Sequence, residues 1–366
     1  MRVLLNALQA GNRSGTGRHT AELCRALPAA DADLELVLAW PAGAGAPPAH
    51  PRVTAVPYPE GGGGRFLPEA CGFPDLVRRF GPQVLHYPAS TGPLTRTRPL
   101  VVTVHDLCFL RHPEWFPAAK ALYYRVFIAR AAARADLILA DSQATADDVR
   151  GLLRVPEDRI RVVPLGCDAR FRPPDPEDTA RLKTRLGLPD RYFLFMGTLE
   201  PRKNVARLVG AWDRIAGEPD MPGLVVAGRG GWKTGPIESA LRGVRRPDRL
   251  KRLDHVPDAD LPALLGGAAG FVWPSLMEGF GLPVLEAMAC GAPVVTSTTS
   301  SLPEVTGDAA LGVDPLDTEA LSDAMRRLAT DEALRGRLSA EGVKRAGHFT
   351  WERTAALTAK AFRELV

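Results

Sequence analysis

Short apolar segments alternate with helical patterns along almost the whole chain, and that alternation admits few folds. In the first half the apolar segments fall at residues 3–8, 34–40, 84–87, 100–104 and 137–140; in the second half at 192–196, 224–227, 271–273 and 293–296. Strands separated by helices predict parallel sheets with helices on both faces, because a parallel pair needs a crossover connection and a helix is the usual one. The two halves meet in a proline-dense stretch, residues 164–176, with little periodicity. The fold class expected is therefore α/β, with two doubly wound, Rossmann-like domains. Their ligands belong at the carboxyl ends of the strands, in a cleft between the domains.

The chain has 366 residues, enough for two buried cores, and its 45% hydrophobic and 24% charged content is that of an ordinary globular protein. A net charge of +4 is too small to argue for nucleic acid. The basic residues are mostly arginine, which compositional bias explains without a functional reading. Five cysteines, at 24, 71, 108, 167 and 290, are widely spaced, odd in number and without a C-x-x-C pair, so they read as reduced and metal-free. The amino terminus reads as a first buried strand rather than a signal peptide. The longest apolar window, residues 263–277, is broken by three glycines and a proline, which excludes a membrane span; a cytoplasmic location is expected. Residues 41–65, rich in Pro and Gly, are expected to form a surface loop.

Chemistry concentrates in Glu278-Gly-Phe-Gly-Leu-Pro-Val-Leu-Glu286. Pro283 suits a first helical turn, so a helix is expected from there through Met288. Its amino terminus would turn the amides of Phe280, Gly281 and Leu282 toward an anion such as a diphosphate. Glu286, a turn further in, can reach a ribose hydroxyl, and Glu278 can accept hydrogen bonds from sugar hydroxyls. Two solvated glutamates beside an ordinary capped helix remain the alternative for such a pair taken alone.

Other segments supply context. After the strand at 192–196, Gly197-Thr-Leu-Glu-Pro-Arg-Lys-Asn204 places Arg202 and Lys203 at a strand-to-helix turn, where adjacent cations neutralise a diphosphate or simply face solvent. His105 follows the strand at 100–104 at the expected cleft edge, where an imidazole serves either structure or a sugar hydroxyl. Gly11 to Arg18 forms a glycine-containing loop, in which Gly15 and Gly17 would let backbone approach a ligand. It is not a dinucleotide fingerprint, and no acidic residue ends the next strand, so a nicotinamide dehydrogenase is disfavoured. Two Asp-Ala-Asp triplets, at 31–33 and 258–260, read as structural, the second capping a helix that begins near Leu261. No P-loop, nucleophile elbow or His/Cys metal cluster is present.

Together these segments resemble the retaining glycosyltransferases of family 4 with the GT-B fold, in particular the mannosyltransferase-like branch. The likeness spans nearly the whole chain. It rests on Ser14-Gly-Thr-Gly-Arg18, Val104-His-Asp-Leu107, Gly197 to Asn204, Gly228-Arg-Gly-Gly-Trp232, the run from Pro274 to Gly291 and Ser301-Leu-Pro-Glu-Val305. Phe349-Thr-Trp-Glu352 is similar to the start of the family's last helix, which crosses back to the first domain.

The resemblance implies an acceptor-side domain at 1–170, a nucleotide-sugar domain at 171–348 and the returning helix at 349–366. It implies that Arg202 and Lys203 grip the donor diphosphate, Glu286 holds the ribose, and Glu278 with the backbone of Phe280 to Leu282 binds the sugar. His105 would contact that sugar from the first domain. It also implies retention of anomeric configuration. Asp254-His255-Val256 and Leu264-Leu265 depart from the family's usual Gly-Tyr-Val and Leu-Tyr near the expected nucleobase pocket.

The expectation is a metal-independent enzyme, with no cofactor beyond the nucleotide-sugar donor, that moves a hexose to an acceptor hydroxyl. GDP-mannose leads, ahead of a UDP-hexose or dTDP-deoxysugar. A silent sugar-binding homologue or a hydrolysing epimerase are further alternatives. The acceptor partner is a glycan, a lipid-linked glycan or a small molecule. Nucleic acid is not expected, and the arginines at 125, 130 and 134 could touch anionic lipid as a peripheral membrane contact.

Overall fold

The structure, a computed structural model, describes residues 1–12, 14–58, 69–95 and 98–366; the glycine run at 61–64 lies outside them. The chain forms two compact units. The first comprises Met1–Pro113, Ala118–Gly166 and Phe349–Val366, and the second Glu114–Pro117 and Cys167–His348.

The first unit is built on a seven-stranded parallel sheet of β1 (Arg2–Asn6), β2 (Glu35–Pro41), β3 (Val53–Tyr58), β4 (Val84–Tyr87), β5 (Leu100–Val104), β6 (Leu137–Ala140) and β7 (Ile160–Val162), in the order β3-β2-β1-β4-β5-β6-β7. The strand order reverses direction between β1 and β4. The inner strands are buried on both faces and so read as continuous apolar runs. Helix Gly15–Ala30 packs on helix Trp351–Arg363, and the carboxyl-terminal residues Ala355, Ala359 and Phe362 share one core with Val3, Leu23, Leu27, Leu38 and Val101.

The second unit has a six-stranded parallel sheet of β8 (Tyr192–Met196), β9 (Gly223–Ala227), β10 (Leu250–Leu253), β11 (Gly270–Trp273), β12 (Val294–Ser297) and β13 (Leu311–Val313), in the order β10-β9-β8-β11-β12-β13. Its reversal falls between β8 and β11. Phe195 and Phe271 both stack on Trp273, with ring centroids 5.0 and 5.8 Å away. Four residues from the first half also belong here: Trp232 Nε1 donates to Trp115 O at 2.8 Å, and its ring stacks on Phe116.

Three sequence expectations change. The segment 41–65 is not wholly a loop, because it contains β3, whose half-exposed pattern and Pro57 suit a sheet edge. Gly15 and Gly17 lie in the first turn of helix Gly15–Ala30 rather than in a loop, with Ser14 as the cap. Gly17 is there for closeness, since a Cβ would lie 1.8 Å from Asn12 O. Asp260 makes no capping bond; a 3₁₀ turn, Asp258–Asp260, precedes helix Leu261–Gly266, and the Asp260 carboxylate pairs with Arg185 at 2.6 Å instead.

Candidate active site

In an open parallel sheet, the loops leaving two neighbouring strands diverge where the strand order reverses, and a crevice opens between them. In the second unit those strands are β8 and β11. The loop after β8 makes a 3₁₀ turn, Pro201–Lys203, and Asn204 then adopts a left-handed conformation before helix Val205–Ile215. The loop after β11 reaches Gly281, whose φ of 109° disfavours any side chain, and opens helix Leu282–Ala289 one residue before Pro283.

The two loops are stitched together. Leu276 N and Ser275 Oγ donate to Arg202 O, and Asn204 Nδ2 donates to Pro274 O and Pro315 O. Ser301 Oγ donates to the carbonyls of Glu278 and Phe280, while Glu278 N donates to Ser300 Oγ.

On this frame sits a buried charge cluster. Lys203 Nζ donates to Glu278 Oε1 at 2.6 Å and Arg202 Nη1 to Glu278 Oε2 at 2.7 Å. Trp273 Nε1 also donates to Oε1, at 3.0 Å, and its ring lies under the Lys203 ammonium, 4.5 Å from the centroid. Arg202 Nε donates to Glu200 Oε1 at 2.6 Å, so one guanidinium bridges two buried carboxylates. Burial alone would raise the Glu278 pKa, but the charges of Arg202 and Lys203 outweigh it and hold the carboxyl down at about 2. Burial and the adjacent guanidinium pull the Lys203 ammonium below its ordinary value, against Glu278 and Glu200.

Arg202, Lys203 and Glu278 are thus brought into one contact, with both Glu278 oxygens taken by protein donors. Phe280, Gly281 and Leu282 form the adjoining turn. Glu286 lies in the second turn of helix Leu282–Ala289, 2% exposed among otherwise apolar residues. Leu264 and Leu265, expected near a nucleobase pocket, are fully buried.

The first unit gathers a second cluster at the carboxyl ends of β1, β4, β5 and β6. His105 Nδ1 lies 2.7 Å from Asp141 Oδ2, and Nε2 lies 2.9 Å from Pro88 O. A carbonyl only accepts, so Nε2 carries a proton, and Nδ1 faces a carboxylate. Burial opposes charge on the ring, but Asp141 and the Pro88 carbonyl win and raise the His105 pKa. Both ring nitrogens therefore point at protein acceptors, so a hydrogen bond from the ring to a sugar would require one of these to exchange. The His19 ring meets His105 edge-on at 4.9 Å, which brings the start of helix Gly15–Ala30, with Gly15 and Gly17, beside it.

Glu200, Trp273, Asp141 and His19 were not singled out from the sequence. Glu200 stood inside the quoted loop, two residues before Arg202, and that spacing is the one signal that pointed to it.

Two family models cover the chain: Glycosyltransferase Family 4 matches residues 13–171, and Glycosyl transferases group 1 matches residues 177–345. O-antigen chain mannosyltransferase B of Escherichia coli is 36% identical over 267 residues, 72% of this chain and 70% of that protein. The chain belongs to glycosyltransferase family 4. It is a hexosyltransferase whose two parallel-sheet domains have the GT-B fold. A second relative, the serotype-specific mannosyltransferase WbdA of Escherichia coli, is 34% identical over 64% of this chain, a match spanning only 29% of its own length. Among solved structures, sucrose-phosphate synthase from Thermosynechococcus elongatus superposes with a TM-score of 0.77 at 21% identity, covering 100% of this chain and 99% of that one. No helix among the described residues is long and apolar enough to cross a membrane.

Proposed function

We propose that this family 4 enzyme transfers mannose from GDP-mannose to an acceptor hydroxyl, with retention of configuration and without a metal. The observation that carries the reading is the coordination of Glu278 by both Arg202 and Lys203 beside the start of helix Leu282–Ala289. Two cations held by a carboxylate form a preset anion site, because a diphosphate can take over the bonds that the carboxylate makes. On donor binding, Arg202 and Lys203 turn to the diphosphate, and the helix amino terminus adds its dipole. Those contacts stabilise the negative charge that grows on the departing phosphate oxygen. Glu278, released from its partners, then accepts from the sugar hydroxyls. Glu286 takes the ribose.

Retention without a carboxylate nucleophile calls for attack on the face that the leaving group quits, the phosphate oxygen taking the acceptor proton. The mannosyl donor is supported by the two mannosyltransferase relatives. The acceptor, by the same likeness, is a glycan hydroxyl.

The test is transfer from GDP-mannose, a UDP-hexose and a dTDP-deoxysugar to mannose-terminated oligosaccharides, with the anomeric configuration of the product read by NMR. An α-linked mannoside from the α-configured donor is expected. A β-linked product would remove retention, and turnover with only the UDP or dTDP donors would remove the donor assignment. Dependence on added divalent metal would overturn the metal-free step.

A further inference from the structure

We infer that helix Ala118–Arg134 of the first unit seats the protein on an anionic phospholipid bilayer. The helix has 17 residues and buries Ile128, Ala131 and Ala132. Opposite that stripe, Leu122 is 62% exposed, Tyr123 43% and Val126 42%. At 100° per residue these three lie within about 100° of arc, with Ala119 and Ala133 on the same face. Large apolar side chains at i, i+1 and i+4 in water form a patch rather than scattered exceptions.

Charge decides what covers the patch. The helix carries Lys120, Arg125, Arg130 and Arg134 and not a single acidic residue, and the whole chain has a net charge of only +4. The helix thus holds a charge equal to the entire net excess, and the remainder of the chain balances. Around the helix axis Arg125 lies on one side of the apolar residues, Lys120 and Arg134 lie toward the other, and Arg130 falls among them. A second copy of the same face would set cations against cations. An anionic bilayer satisfies both parts at once, with headgroups for the cations and the acyl boundary for Leu122 and Val126. Tyr123, amphipathic and with its ring tilted against Phe127 at a centroid distance of 4.5 Å, suits the level between them. With four cations in its length the helix lies in the interface and does not cross it. This assignment is independent of which sugar is transferred.

The experiment is co-sedimentation of the full chain with vesicles of pure phosphatidylcholine and of equimolar phosphatidylcholine and phosphatidylglycerol. Binding to the anionic vesicles alone is expected, weakening as salt rises. Arg125→Gln with Arg130→Gln should lower the partition coefficient about 25-fold, at about fivefold per cation. Leu122→Ser with Val126→Ser should lower it at least about tenfold. All four side chains are exposed, so the fold is retained, and circular dichroism checks this. Arg181→Gln with Arg337→Gln removes the same charge from exposed positions elsewhere and should leave partition unchanged. Absence of binding to anionic vesicles, or an equal loss in the Arg181/Arg337 control, overturns the assignment. So does a concentration-dependent dimer that the Leu122/Val126 pair abolishes without any vesicle binding.

Discussion

Lys203 Nζ and Glu278 Oε1 lie 2.6 Å apart in a buried pair, so the carboxylate balances the ammonium inside the second unit. Arg202 shares it from the other oxygen. In Glu278→Gln, Lys203 loses its paired carboxylate and Arg202 keeps only Glu200. Removing one partner from a buried ionic contact costs about 3–5 kcal/mol, and the second unit should be destabilised on that scale. A nucleoside diphosphate supplies the missing charge. Its addition should therefore raise the melting temperature of Glu278→Gln more than that of the natural chain, while turnover falls about 100-fold. Differential scanning fluorimetry with GDP, beside initial rates, checks both. Equal ligand-induced shifts in the two proteins would mean that the diphosphate does not replace the carboxylate.

Glu286 should respond to nucleotide in the opposite way. It is 2% exposed on helix Leu282–Ala289, so Glu286→Ala should lower stability through the buried space it leaves, and its distinguishing effect falls on nucleotide affinity. Hydrogen bonds to a charged group contribute about 1.5–3 kcal/mol, which predicts about 10- to 150-fold weaker nucleotide binding. Calorimetric titration with GDP measures it. Unchanged affinity would take the ribose away from this residue.

Acid should destabilise the first unit before the second. Burial depresses the His86 pKa to about 3 and, with His105 and His86 nearby, pushes His19 well below its ordinary value. Below pH 6.5 the unfolded chain protonates these rings and the fold refuses the proton, so stability falls as pH drops toward 3. The slope is about 1.4 kcal/mol per pH unit for each proton excluded. His105, whose pKa is raised, contributes in the other direction: its stabilisation is complete below pH 6.5 and is lost as pH climbs through its folded value. Glu278 adds an acid loss only between its ordinary value of 4.5 and about 2. In His86→Leu the slope between pH 6.5 and 4.5 should flatten, as read from urea unfolding at a series of pH values. An unaltered slope would assign the acid sensitivity elsewhere.

Phe362→Ala should loosen the first unit selectively. The side chain is fully buried, meets the His86 ring edge-on at 5.3 Å and shares a core with Leu23 and Leu27. A cost of about 3–5 kcal/mol is expected. Hydrogen exchange should show protection lost in β1, β4 and helix Gly15–Ala30, with β8 to β13 unaffected. Uniform loss across both units would contradict this.

What the sequence disclosed follows burial. Every strand foreseen lies inside its sheet and is mostly buried and apolar, those at 137–140 and 271–273 throughout. The four that escaped notice, β3, β7, β10 and β13, are the two edges of each sheet. An edge strand need bury only part of itself; Lys251 and Arg252 in β10 and Pro57 in β3 carry no continuous apolar signal. Arg202, Lys203, Glu278 and Glu286 stood out as candidates because they are charged residues beside turns at the ends of strands. Their contacts did not. Arg202 and Glu278 are 76 positions apart, and only the adjacency of β8 and β11 makes them neighbours. The same holds for His105 and Asp141, which meet because β5 pairs with β6.

The helix Trp351–Arg363 belongs to the first unit, yet it is made after the whole of the second. Synthesis proceeds from the amino terminus, so the first unit must wait, with the face of helix Gly15–Ala30 bare, while residues 167–348 emerge. The unit begun first is therefore completed last. A chain ending at residue 348 holds a second unit able to close on itself and a first unit still lacking part of its core, a species that a chaperone would recognise by the exposed surface around Leu23 and Leu27.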